Sequence, residues 1–179
     1  KGKSPFKDPE YISDLRECEA CDYHYRYGKG HVSPLLRHMG IPGQDNTVES
    51  AKEMGKYFSE KFGGTIYDIL LNPTGGFISD TTRSGEYMYG KIDVVVEKGI
   101  SLARKLIGEM NGVGGGGRLE MDVHSQGGLI AYNILTRMTA EEQSMISVRT
   151  YGTAKVIMTD ICAGAENFVS RSEEHTSEL

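Results

Sequence analysis

RLEMDVHSQGGLIAYNIL, residues 118–135, passes from an apolar, strand-like run into a helix-like one, with Ser125 at the change. A serine at a strand-to-helix elbow, followed two residues later by glycine, here Gly127, is lifted to the top of a sheet with its hydroxyl exposed. The backbone N–H of Gln126 then points to where an oxyanion would develop. Serine is a weak nucleophile by itself. It needs a base and an acid from elsewhere in the chain.

Working outward from that stretch, the elements alternate. Val48, Ala51, Met54, Phe58 and Phe62 recur at helical spacing. Asn46 with Glu49 forms a capping-box pattern before them, and Gly63-Gly64 ends the run. TIYDILL (65–71) reads as a buried strand and residues 72–90 as a long polar loop. Ile92, Val95, Val96, Ala103, Leu106, Ile107 and Met110 mark a second amphipathic helix. Residues 118–123 then read as a strand, 126–138 as an apolar helix, Thr139 with Glu142 as a capped turn, 146–152 as a strand and 165–170 as another. Strand, helix, strand, helix predicts an α/β fold: a mostly parallel, doubly wound sheet with helices on both faces. Right-handed crossovers put the loops that follow strands on one edge, with Ser125 among them. Residues 1–40 are less legible. HVSPLLRHMG suggests a strand ending near Met39 despite Pro34, and Tyr23, Tyr25 and Tyr27 alternate as on a half-buried strand.

Composition bounds the function. With 38% hydrophobic and 25% charged residues and a formal net charge of −5, the chain reads as a globular domain without basic clusters, which argues against nucleic acid as a partner. No apolar run reaches the roughly 18 residues of a membrane span. The three cysteines form no disulfide framework. Glycine is frequent, and Gly114–Gly117 looks superficially like a phosphate loop. Such loops follow a strand and open a helix, whereas here the order is reversed, so a flexible connection is the reading. The chain starts at Lys1, and both cytoplasmic and secreted locations fit. The closing RSEEHTSEL, residues 171–179, matches the translation of a sequencing adapter and is expected to be non-native.

A working Ser125 needs oxyanion donors, expected at the backbone of Gln126 and, in the glycine-rich stretch after the preceding strand, at Ile41. Asp160 is the native aspartate downstream and the candidate acid by position. Glu166 is a weaker one. No native histidine follows Ser125, since His175 lies in the tail, and His124 is its neighbour and points elsewhere. Cys18, Cys21, His24 and His31 do not have the spacing of a zinc finger, so no metal and no cofactor is expected.

Residues 40–170 resemble the lipase-like α/β-hydrolases, especially a chlamydia-type bacterial group. The resemblance rests on GIPGQDNTVESAKEMGKYFSEKFGG, LNPTGGFISD, HSQGGLIAYNIL, YGTAK and AENFVSR. It implies an α/β-hydrolase-type sheet, incomplete at the C-terminus, with residues 1–40 as an ill-defined segment and 41–170 as a partial core. It also implies that the acid and base lie beyond residue 170. The expected parent activity is hydrolysis of a small ester or lipid ester through Ser125, with the chain as given inactive. The alternative is a non-catalytic interaction or effector module that keeps the fold. Val123, where the elbow usually has a small residue, and the missing histidine motivate that alternative.

Overall fold

The computed structural model describes residues 10–12, 23–28, 33–43, 48–72, 84–111, 114–153 and 155–169. In chain order these form β1 (Glu10–Ile12), β2 (His24–Tyr27), β3 (Leu36–Ile41), α1 (Val48–Lys61), β4 (Tyr67–Leu70), α2 (Ser84–Asn111), β5 (Arg118–His124), α3 (Gly127–Thr136), α4 (Ala140–Gln143), β6 (Ile146–Tyr151) and β7 (Gly164–Phe168). The strands make one sheet in the order β1-β2-β4-β3-β5-β6-β7. From β4 through β7 neighbouring strands are parallel, while β2 pairs antiparallel with both β4 and β1. This is the mostly parallel α/β sheet that the alternating pattern predicts. The strands of the less legible N-terminal segment belong to it, and β3 runs across residue 40.

Helices cover both faces. Along β5, Leu119, Met121 and Val123 point one way, into a core shared with Met39, Ile41, Val148 and the inner sides of α2 and α3. Tyr25, Tyr67 and Ile69 point the other way and pack against Ala51 and Phe58 of α1. Helix α1 turns Ala51, Met54 and Phe58 inward at spacings of three and four. It ends because Gly63 and Gly64 take φ of +76° and +86°. The Gly64 N–H reaches back to the Ser59 carbonyl at 2.7 Å, a bond that closes the last turn. The Asn46 cap expected at its other end lies outside the described residues.

One expectation needs adjustment. Helix α2 begins at Ser84, well inside the stretch read as a loop to residue 90. Gly85 and Gly90 look like breakers, but an interior glycine costs a helix only about 1 kcal/mol, which a long helix absorbs. Among the described residues, the link from β6 to β7 (152, 153 and 155–163) returns along the sheet without a helix. The Asn167 side chain fastens it. Asn167 Oδ1 accepts the Ile157 N–H at 3.1 Å, and Nδ2 donates to the Ile157 carbonyl at 3.0 Å. The Thr139–Glu142 capping box forms as its spacing predicts, opening α4.

Candidate active site

Ser125 is the one non-glycine residue among those described with a positive φ, +52°. L-residues enter this left-handed region at a cost, and they persist there where the surroundings over-determine them. The surroundings here are specific. The Ser125 N–H donates to the Tyr151 carbonyl at 3.2 Å, which carries the β5–β6 pairing one residue past the strand. The Ser125 carbonyl accepts the Gly128 N–H at 3.1 Å, beginning α3. Gln126 is the N-cap of α3 and makes no side-chain capping bond there. The half-exposed Ser125 therefore sits at the positive end of a ten-residue helix.

The glycines around the serine mark close backbone approaches. A Cβ on Gly127 would lie 2.4 Å from the Ile41 carbonyl oxygen and 2.8 Å from that of Pro42, so only glycine lets α3 start against the loop after β3. On Gly128 it would lie 2.7 Å from the Thr153 side chain. On Gly43 it would lie 3.1 Å from Ser125 Cβ and 3.5 Å from Ser125 Oγ. The loops after β3, β5 and β6 thus converge at the serine. Val123, expected to crowd the turn, is fully buried in the core under α2 and α3. Strand alternation turns it away from the elbow.

A residue not foreseen in the sequence joins this edge. Asn72, two residues past β4, is fully buried. Its Nδ2 donates to the Gly43 carbonyl at 3.1 Å and to Gln126 Oε1 at 3.2 Å. Nothing local in the sequence distinguishes it from an ordinary loop asparagine.

The other candidates lie elsewhere. Asp160 is exposed in the turn that leads into β7. Because β6 and β7 run parallel, with Ser147 opposite Gly164, that turn is at the sheet edge opposite Ser125. The length of a seven-residue strand, roughly 20 Å, separates them. Glu166 is exposed on β7. It helps line a groove of about 480 Å³ with Arg118, Glu120, Ser147 and Arg149, away from the serine. His24 is on β2, three strands from β5, where its Nε2 meets Asp68 at 2.5 Å. Cys18, Cys21 and His31 lie outside the described residues, among which no group of three or more potential metal ligands occurs.

Below the elbow, β5 carries a buried polar cluster on its α1 face. Asp122 is fully buried and accepts from the hydroxyl of Tyr67 at 2.8 Å, from Arg149 Nε at 2.8 Å and from the hydroxyl of Tyr151 at 3.2 Å. Burial and then the Asp122 charge push the Tyr151 phenol up to about 12, and Tyr67 higher still, so both remain donors at neutral pH. Tyr151 therefore serves the elbow twice, through its carbonyl to Ser125 and its hydroxyl to Asp122.

No protein-family model matches the chain, and no curated protein sequence matches it. Solved structures do. A protein from Silicibacter sp. TM1040 designated a thioesterase aligns with a TM-score of 0.51 at 12% identity, over 83% of this chain and 51% of its own. A dienelactone hydrolase-like promiscuous phosphotriesterase from metagenomic libraries aligns at 0.47 and 11% identity, over 82% of this chain and 61% of its own. The chain thus spans about half the length of the first of these. At such identities the likeness shows the fold alone, a mostly parallel α/β sheet flanked by helices. Among the described residues, no helix is long and apolar enough to cross a membrane.

Proposed function

We propose that this chain carries the nucleophile and oxyanion side of a serine hydrolase that cleaves small carboxylic or lipid esters by acyl transfer. The observation that carries the reading is Ser125 at φ +52° between β5 and α3, with Gly43 beside its side chain and the start of α3 packed on the Ile41 and Pro42 carbonyls. Its Oγ attacks the ester carbonyl carbon while a base takes the hydroxyl proton. The charge that forms on the carbonyl oxygen is met by the N–H of Gln126, by the N-terminal end of α3 and by the Ile41 N–H. The alcohol leaves with the proton, and water then releases the acyl group. Pro42 has no N–H, so Ile41 and Gly43 are the available donors in the described part of the β3 loop. The scheme also needs an acid and a base; His124 shares this edge, since a Cβ on Gly43 would lie 3.6 Å from its Nδ1 and 3.5 Å from Ser125 Oγ. Asp160 has no part in the scheme, because it sits at the other edge of the sheet.

The test is a fluorophosphonate probe applied to the natural full-length protein. Labelling should map to Ser125 and vanish in Ser125→Ala. Labelling that persists in that variant, or none in the wild type, would leave the non-catalytic module as the better reading.

A further inference from the structure

We infer that Asn72 is a positioning residue that latches the oxyanion loop to the nucleophile elbow. The inference rests on the acyl-transfer reading above and adds a residue to it. Its basis is one side-chain nitrogen that spans two loops. Gly43 offers a carbonyl, which only accepts, so the Nδ2 end of the Asn72 amide must face it. The same NH₂ group places its second bond on Gln126 Oε1. Both hydrogens are therefore spent on bridging the loop after β3 to the residue after the nucleophile.

Position strengthens the case. Asn72 stands at the end of β4, which neighbours β3, and β3 in turn neighbours β5. The side chain thus gathers three successive strand ends at the edge where Ser125 lies. It is fully buried, so water does not compete for these bonds and their loss leaves the Gly43 carbonyl without this donor. Gly43 also lies beside the nucleophile, since a Cβ added there would lie 3.1 Å from Ser125 Cβ and 3.5 Å from Ser125 Oγ. A trans peptide is planar, so fixing the Gly43 carbonyl fixes the plane of the peptide that follows it and restrains the loop that carries the Ile41 and Gly43 amides. Oxyanion donors act by being in place before charge develops, and a displacement of about 1 Å can cost ~100-fold. The Gln126 side chain receives the other bond, so one group sets the spacing between the two proposed donor sites.

Two variants separate the bonds. In Asn72→Asp the new carboxylate still pairs with Gln126, whose amide can turn to donate, but it opposes the Gly43 carbonyl. In Asn72→Ala both bonds go. The experiment measures the fluorophosphonate labelling rate at Ser125 in the natural full-length protein. Melting temperature and peptide-level hydrogen exchange are recorded alongside it. Expected is labelling slowed by ~10- to 100-fold in both variants, with faster exchange confined to peptides that cover residues 40–43. Wild-type labelling rates in both variants would overturn the latch. So would slowing that merely tracks a lower melting temperature with faster exchange across the whole sheet. If the wild type itself is not labelled, the acyl-transfer reading fails. The latch is then judged by exchange alone, and unchanged exchange at 40–43 in Asn72→Ala overturns it.

Discussion

Asp68 and Asp122 are both fully buried carboxylates on neighbouring parts of one sheet, yet they are held in different ways. Asp68 faces the α2 side in a sealed pocket, where His24, Arg26 and Arg37 surround it and Arg37 also reaches Glu109. Burial alone would raise its pKa, but the hydrogen bonds and charges of His24 and Arg26 outweigh that and hold the carboxyl well below its usual range. Asp122 faces the α1 side and has one cation, Arg149, whose side chain is 22% exposed, together with two tyrosine hydroxyls. The first cluster joins β2, β3 and β4 to Glu109 of α2. The second connects to Ser125 through Tyr151. Buried charge near this candidate site therefore does two jobs: one cluster secures the sheet, and the other supports the turn.

Removing each carboxylate should break that comparison or sharpen it. Asp68→Ala leaves two buried guanidinium groups without their shared anion, and a loss of about 3–5 kcal/mol in urea unfolding is expected. Asp122→Ala should cost less, about 2 kcal/mol, since Arg149 can turn to water and to Glu120 at 3.0 Å. Its second signature is a Tyr151 phenol that titrates below about 12 in a spectrophotometric titration. Equal losses at the two sites would show that the clusters are not different in kind.

A smaller effect of opposite sign is expected at the elbow. Ser125→Gly relieves the left-handed strain and should gain up to ~1 kcal/mol while abolishing labelling. A loss of stability there would mean that the serine side chain has a structural role outweighing the strain.

The smallest effect concerns pH. His38 is buried beside Phe62 and Tyr67, and burial lowers its pKa despite the raising influence of Glu120 and Asp122. The unfolded chain then binds a proton more readily than the folded one. Stability should be fully present above about 6.5 and fall as pH drops through that value. Replacement by phenylalanine should flatten this part of the stability–pH curve. An unchanged curve would show that other groups set it.

Much of the fold was legible because it rests on local periodicity. The spacing of Ala51 and Phe58, the run at 65–71 and the Thr139–Glu142 box each express short-range geometry. The serine was legible for the same reason, since HSQGG is a turn written in consecutive residues. The start of α2 was not, because Gly85 and Gly90 are common to loops and to helices that tolerate them. Asp160 looked suitable by chain order alone. The helix-free return from β6 to β7 carries it to the far edge, a path that order along the chain does not encode.

What the sequence determined by itself is the alternation of strands and helices and the place of Ser125 where one turns into the other. Hydrophobic period and glycine placement act over a few residues, so they can be read from a few residues. Tertiary structure alone decided that Asn72 meets Gly43 and Gln126 and that Asp122 meets Arg149. Those partners are 27 to 54 residues apart in the chain. Only the packing of parallel strands side by side brings them within hydrogen-bond reach.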